Sequence, residues 1–365
     1  MKMDFKQSPN VFILISNATI SPQLLEIIRC LESHQINQHI FIIADEDNPL
    51  LTGVRELDIS LRVLRSATKS RIFGHSLVVF THLLKHRPKT VLASGQFATF
   101  IGIPLAFMLR INNRIHVRHH SNFHHKYKMR VGLALDNIMN NSSTKIVAVS
   151  RVVRDILVQK EGVPVDKVLI IHNGVDLQVF NSKFRGVLRK DHTFRIGVIS
   201  RLTEWKGVTY TARAFQNFLL LHPNSYLHII GANADDFDKV TLALESVPRE
   251  KYQIESVNFD IPGFLKSIDV LVHVPLDVDD EAFGIVYIEA LASGTPGIFT
   301  ISGVLNELHN PDLYFSVVPS RDHNAILDEL EKHFTQSTVH QSVPADWLKQ
   351  FSLEYQGLSY LKLLS

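Results

Sequence analysis

One cysteine, Cys30, stands in 365 residues, so no internal disulfide framework exists. The lone thiol reads as a buried, inert side chain in a reducing compartment. No apolar run free of charge approaches the roughly 20 residues that a membrane-spanning helix needs. The first such run, VFILIS at 11–16, has the length of a strand and is too short for the apolar region of a secretory signal. These absences lead to the expectation of a cytoplasmic chain, held at a membrane only if something recruits it. No G-x-G-x-x-G follows the first strand of either half, which argues against a dehydrogenase. No G-x(4)-G-K-[ST] occurs, which argues against a P-loop enzyme.

Acid is missing from one long stretch. Ile59–Leu135 contains 13 Lys and Arg, eight His and no Asp or Glu. Residues 1–180 carry 22 basic against 13 acidic side chains, and residues 181–365 carry 16 against 23, although the whole chain is only +2. A positive field on the first half follows. Its partners could be anionic lipid, a phosphorylated acceptor or nucleic acid, or it could be a solvated basic face with no partner. Nucleic acid is disfavoured because interleaved aromatics and a recognisable module are lacking.

What is present is an α/β alternation. Hydrophobic content of 45% and charged content of 20% fit a globular protein, and the length fits two domains. Short β-branched runs at 11–16, 39–44, 90–93, 115–118, 145–149 and 168–171 alternate with amphipathic stretches at 22–31, 71–86, 97–109 and 151–160. Pro22 after Ser21 suits a first helical turn. The alternation stops at the polar segment NSKFRGVLRKDHT and restarts with strands at 194–200, 225–230, 270–273 and 297–300 and helices at 210–221, 283–293 and 325–334. The expected architecture is two doubly wound Rossmann-like domains facing a cleft. Residues 1–180 would form the first domain, 181–193 the linker, 194–346 the second domain, and 347–365 a terminal helix that crosses back.

Two segments carry chemistry. In DEAFGIVYIEALASGTPGI (280–298), Glu281 precedes a helix whose first turn should contain Phe283 and Gly284, and Glu289 lies inside it. Helix N-termini hold phosphates on unpaired N–H groups. Eight helical residues span about 12 Å, so the two carboxylates could accept hydroxyls from the two ends of one nucleotide-sugar. Unrelated glutamates on a surface helix are the plainer alternative. In GVISRLTEWKGV (197–208), Arg201 and Lys206 share one short loop, where a guanidinium fork and a point cation could hold two phosphates, and Gly207 permits close approach. A basic surface loop is the alternative.

Together these segments resemble the retaining glycosyltransferases of family 4, which have the GT-B architecture. The family's E-x(7)-E motif falls on Glu281 and Glu289, and its arginine–lysine phosphate pair falls on Arg201 and Lys206. The segment at 147–176 also resembles the end of the family's first domain, with His172 where a proline is usual. The resemblance implies that Arg201 and Lys206 neutralise the departing nucleotide diphosphate, a task that metals perform elsewhere. No metal or other cofactor is then expected. Glu281 would hold donor-sugar hydroxyls with help from backbone N–H groups at Phe283, Gly284 and Ile285, and Glu289 would hold the ribose. Gly231 begins the loop GANADD, which lacks the second glycine that the family places near the nucleotide.

On the acceptor side, RHHSNFHH (118–125) is rich in histidine. His119 with Asn122 best matches the family's sugar-contacting histidine, with His120 and Arg118 beside it. A zinc site is disfavoured because acids and cysteines are not close in sequence. The loop SNATISP departs from the family's glycine-rich turn. The expectation is a transferase moving a hexose-type sugar with retention to a lipid-linked or cell-surface glycan precursor, at an anionic membrane. A nucleotide-sugar epimerase or a non-catalytic binding protein of the same fold is the alternative. A phosphorylase would need a cofactor lysine that is not marked.

Overall fold

The computed structural model describes residues 10–16, 21–44, 47–65, 71–180, 192–231, 235–258, 260–335 and 341–364. The chain divides into two compact units, one of residues 1–175 with 350–365 and the other of residues 176–349. The first thus ends at Val175 where the sequence suggests 180. Of the expected linker, positions 181–191 lie outside the described residues, as do 17–20 of SNATISP and 232–234 of GANADD.

Unit 1 is a seven-stranded parallel sheet. Its strands are β1 (Val11–Ser16), β2 (Gln38–Ala44), β3 (Ser60–Arg65), β4 (Thr90–Ser94), β5 (Asn113–Arg118), β6 (Lys145–Ala148) and β7 (Val168–Ile170), in the order β3-β2-β1-β4-β5-β6-β7. Central β1 is buried at every position, which is why it reads as an unbroken apolar run. Edge strand β3, SLRVLR, buries only Leu64 fully and goes unnoticed in the sequence because its two arginines and its serine break the apolar run.

The connecting helices are α1 (Pro22–Ser33), α2 (Pro49–Arg55), α3 (Ile72–His86), α4 (Gln96–Met108), α5 (Phe123–Lys126), α6 (Arg130–Ser142) and α7 (Arg151–Asp155). The Ser21 hydroxyl accepts the Leu24 N–H at 3.3 Å and starts α1. Asn48 does the same for α2 through the Leu51 N–H at 3.0 Å, followed by Pro49 at the first helical position. α7 continues as a π-helical turn over Ile156–Lys160. The layer of α3 and α4 closes over β1, β2 and β4 through Phe12, Phe41, Leu83, Val91 and Ile101. Each such buried side chain contributes roughly 1.5–3 kcal/mol.

Unit 2 repeats the plan with six parallel strands: β8 (Phe194–Ile199), β9 (Ser225–Ile230), β10 (Tyr252–Glu255), β11 (Val270–His273), β12 (Gly297–Phe299) and β13 (Ser316–Val317), ordered β10-β9-β8-β11-β12-β13. Its helices are α8 (Val208–Leu221), α9 (Phe237–Ala243), α10 (Ile261–Ser267), α11 (Ile285–Ser293), α12 (His323–Thr335) and α13 (Ala345–Lys349). Phe215 and Phe218 of α8 pack with Val198, Ile229 and Val272 as the core. The chain winds outward from β8 in one direction and returns to β11 for the other. The crevice between those two strands is therefore the topological switch point.

The terminal segment is two helices, not the single one expected, because the helix breaks at 350–352 between α13 and α14 (Leu353–Leu364). Ser352 forms a parallel bridge with Val175, and the Val175 N–H donates to the Phe351 carbonyl at 2.7 Å. That pairing takes the backbone out of helical geometry. α14 then lies on α1, and Gly357 eases the approach: a Cβ there would lie a tight 3.1 Å from the Cys30 Cβ.

Candidate active site

The two segments singled out in the second half leave β8 and β11, the strands that bracket the switch point of unit 2. After β8 the chain passes through a 3₁₀ turn at Glu204–Lys206 and enters α8 through Gly207, whose φ of +69° is left-handed. A Cβ at Gly207 would lie 2.1 Å from the Val274 carbonyl oxygen. Only glycine lets the β8 loop and the β11 loop approach this closely, and that approach brings Lys206 to Glu281.

Lys206 is buried, and its Nζ forms an ion pair with Glu281 Oε1. His273, the last residue of β11 and also buried, places Nε2 2.8 Å from the same Oε1. The Glu281 N–H donates to Ser302 Oγ at 3.1 Å, and Ser302 in turn donates to the Asp277 carbonyl at 2.8 Å. Burial by itself would raise the Glu281 carboxyl. The Lys206 charge and the His273 hydrogen bond outweigh it and hold the group down at about 2. Burial lowers His273, partly offset by Glu281. Neutral His273 therefore donates to a fixed carboxylate, and no described residue engages the other oxygen, Oε2.

The helix after Glu281 starts later than the sequence suggests. Gly284 is its N-cap with a φ of +80°, so α11 begins at Ile285 and neither Phe283 nor Gly284 is in its first turn. The reason is local: Phe283 is buried, and its carbonyl accepts the Val304 N–H at 2.9 Å, which fixes the chain before the helix. Gly284 offers no side chain to cap α11. The Tyr287 N–H donates to the Gly284 carbonyl at 3.1 Å, while the N–H groups of Ile285 and Val286 have no intrahelical acceptor and carry the helix's partial positive charge. Glu289 follows one turn on, half-buried, with no hydrogen-bond partner among the described residues. Desolvation pushes its carboxyl up to about 7. Arg201 is exposed at the end of β8 and makes no ion pair among the described residues. Gly231 has a packing role, since a Cβ there would lie 2.1 Å from the Ser200 carbonyl oxygen.

Unit 1 gathers the histidine-rich segment at the carboxyl end of β5. His119 is exposed, with Nε2 3.0 Å from Ser94 Oγ at the end of β4. Arg118, expected on the acceptor side, is instead buried. Its guanidinium contacts Asp136 at 3.2 Å and Glu161 at 2.5 Å. A buried guanidinium needs such counter-charges, so Arg118 serves the interior. His124 Nδ1 lies 2.6 Å from Asp136 Oδ2, and His120 Nε2 lies 3.3 Å from Oδ1. Asn140 donates to Glu161 at 2.7 Å. Asn122 is half-buried at the start of α5.

The acids that the sequence does not place beside the histidines are thus supplied by α6 and by Glu161, which follows the π-helical turn after α7. His120, His124 and Asp136 hold potential ligand atoms within 4.8 Å of one another. Their chemistry does not fit a cation: both Asp136 oxygens already face Arg118, a permanent positive charge, and 2.6 Å to His124 is a hydrogen bond. Asp136, Glu161 and His273 escape sequence reading. The signal available is that Asp136 and Asp155 are the first acids to end the acid-free stretch, and that a histidine closes the apolar strand VLVH.

A parallel sheet, a switch-point loop bearing Arg201 and Lys206, and a carboxylate before a glycine-capped helix are the features that the fold brings together in unit 2. Residues 21–179 match the profile described as Glycosyltransferase Family 4, and residues 180–343 match Glycosyl transferases group 1. The chain belongs to the family 4-like glycosyltransferases of GT-B fold. It is 29% identical over 187 residues to the uncharacterized glycosyltransferase MJ1607 of Methanocaldococcus jannaschii, covering 48% of this chain and 47% of that one. It is 27% identical over 198 residues to the putative colanic acid biosynthesis glycosyltransferase WcaL of Escherichia coli, covering 51% and 46%. The chain thus spans about half the length of these curated relatives. Anabaena Alr3699/HepE, solved with UDP and glucose, shares the fold with a TM-score of 0.78 at 16% identity, over 98% of this chain and 99% of that one.

Proposed function

We propose that this protein transfers a hexose-type sugar from a nucleotide-diphospho-sugar to a hydroxyl acceptor, with retention of anomeric configuration. The observation that carries this is the arrangement at the switch point: Glu281 has one oxygen held by Lys206 and His273 and the other open, beside the α11 N-terminus and the Arg201 loop. Crevices of this kind at the carboxyl edge of a parallel sheet bind nucleotides. The complex of the Anabaena neighbour with UDP and glucose supports a uridine nucleotide.

In this reading Arg201 and Lys206 receive the diphosphate, whose charge grows as the sugar C1–oxygen bond breaks. Glu281 Oε2 accepts a donor-sugar hydroxyl, and Glu289 accepts the ribose hydroxyls. The acceptor oxygen forms the new bond to C1 on the face that the diphosphate leaves, and its proton passes to a departing phosphate oxygen. His119, His120 and Asn122 belong to the acceptor side. The acceptor proposed is a lipid-linked or cell-surface glycan precursor, reached by peripheral association with an anionic membrane.

The test is thermal shift with a panel of UDP-, GDP- and ADP-sugars. One nucleotide-sugar should raise the midpoint by ligand linkage, and Lys206→Ala should abolish that rise while the protein stays folded. No response by the folded wild type to any nucleotide would overturn the reading.

A further inference from the structure

The sugar chemistry leaves one face of unit 1 unexplained. Phe73 and Leu77, one turn apart in α3, are 80% and 55% exposed. At that spacing they share one helix face. Val131, in the first turn of α6, is 74% exposed, and Met129 just before it is 41% exposed. In a parallel sheet each connecting helix runs back against the strands, so α3 and α6 both begin at the strands' carboxyl edge. α4 packs against both and adds half-buried Phe97 and Phe100 at the same end. A soluble surface rarely gathers so many large apolar side chains without a use for them.

The cations beside these residues say what covers them. Arg71 starts α3, and Lys128 and Arg130 flank Met129 and Val131. All three are exposed, and none forms an ion pair among the described residues. No acid occurs from Ile59 to Leu135, and Asp136, the next one, is buried against Arg118. A second copy of the chain would set cation against cation across a two-fold contact. A bilayer of anionic lipid instead offers hydrocarbon to the apolar side chains and phosphate to the cations.

We propose that the carboxyl-edge face of α3, α4 and α6 docks on an anionic lipid bilayer. This rests on the reading of a membrane-borne glycan acceptor and names the surface that meets the membrane. Flotation of the full chain with vesicles tests it, comparing phosphatidylcholine alone with phosphatidylcholine containing phosphatidylglycerol. Binding should require the anionic lipid and weaken at high salt. Phe73→Ser with Leu77→Ser, and separately Lys128→Glu with Arg130→Glu, should each lower the bound fraction about tenfold.

The nucleotide-sugar thermal shift, run without vesicles, should be unchanged in both variants. Equal, weak binding of the wild type to both vesicle types overturns the docking face, and a retained nucleotide response then leaves the transferase reading standing. Vesicle binding without any nucleotide response supports the face and counts against the transferase. Variants that float like the wild type overturn the assignment. So does a wild type that sediments as a dimer and loses the dimer in the variants without binding vesicles.

Discussion

His273 and Lys206 bond the same oxygen of Glu281, Oε1. Two donors on one oxygen fix the carboxylate plane and leave Oε2 for a ligand. In the proposed donor complex Lys206 would be shared between Glu281 and an incoming phosphate, while His273 would remain with Glu281.

His273 is accordingly a positioning residue. His273→Leu keeps the volume roughly and removes the donor; a lost hydrogen bond to a charged group is worth about 1.5–3 kcal/mol. At about 1.4 kcal/mol per tenfold, kcat/KM should fall roughly ten- to hundredfold. His273→Gln, which restores an N–H, should recover part of it, and the loss should fall on kcat more than on KM. Steady-state kinetics of both variants decide this. Equal defects in the two variants would point to packing alone.

Glu289 should make both donor binding and stability depend on pH. Burial raises its carboxyl to about 7. The folded state therefore holds a proton that the unfolded chain has already released above the ordinary glutamate range. Its contribution to stability is complete at low pH and lost as pH rises through about 7. Glu289→Gln should raise the melting temperature at pH 8 and change it little at pH 5. Wild-type donor affinity should weaken below about pH 7, where the carboxylate protonates, and the variant should lose that dependence. Melting curves and titration calorimetry across this window supply the check.

The Arg118–Asp136–Glu161 cluster is buried, so its pieces are not separable. Arg118→Met should cost about 3–5 kcal/mol by leaving two buried carboxylates without their permanent counter-charge. For a unit of this size that lowers the melting temperature by roughly 6–20 °C. Asp136→Asn should be milder, because Glu161 still pairs with Arg118. Differential scanning calorimetry reads both, and a neutral Arg118→Met would refute the role assigned to the cluster.

If Arg201 and Lys206 carry the diphosphate charge, transferase activity should survive exhaustive EDTA treatment, and added magnesium should not raise kcat. Lys206→Ala should lower kcat at least a hundredfold, as for loss of one electrostatic donor at a reacting centre. Abolition of wild-type activity by the chelator would show that a metal shares the task.

Much of this protein is legible in its sequence because the information is local. The buried strands β1, β4 and β11 read as apolar runs, and the order of Arg201, Lys206, Glu281 and Glu289 lies within two short segments. Short or polar elements do not announce themselves: edge strand β3, seven-residue α2 and the entire α6 go unread. The α6 pattern is weak because part of its inner face is Asp136 and Asn140 rather than hydrocarbon.

What only the tertiary structure decides is which distant groups share a low-dielectric interior. Lys206 meets Glu281 across 75 positions, and Arg118 meets Glu161 across 43. Linear spacing made Arg118 and the histidines look like a solvent-facing acceptor wall. Folding turned Arg118 inward, because Asp136 and Glu161 arrive from other helices and a buried guanidinium is stable only among such partners. It also brought Lys206 to Glu281 and His273, because the parallel strands β8 and β11 end along one edge and place their following loops side by side. Sequence determined the kind of residues at the site, and the sheet's winding determined which of them touch.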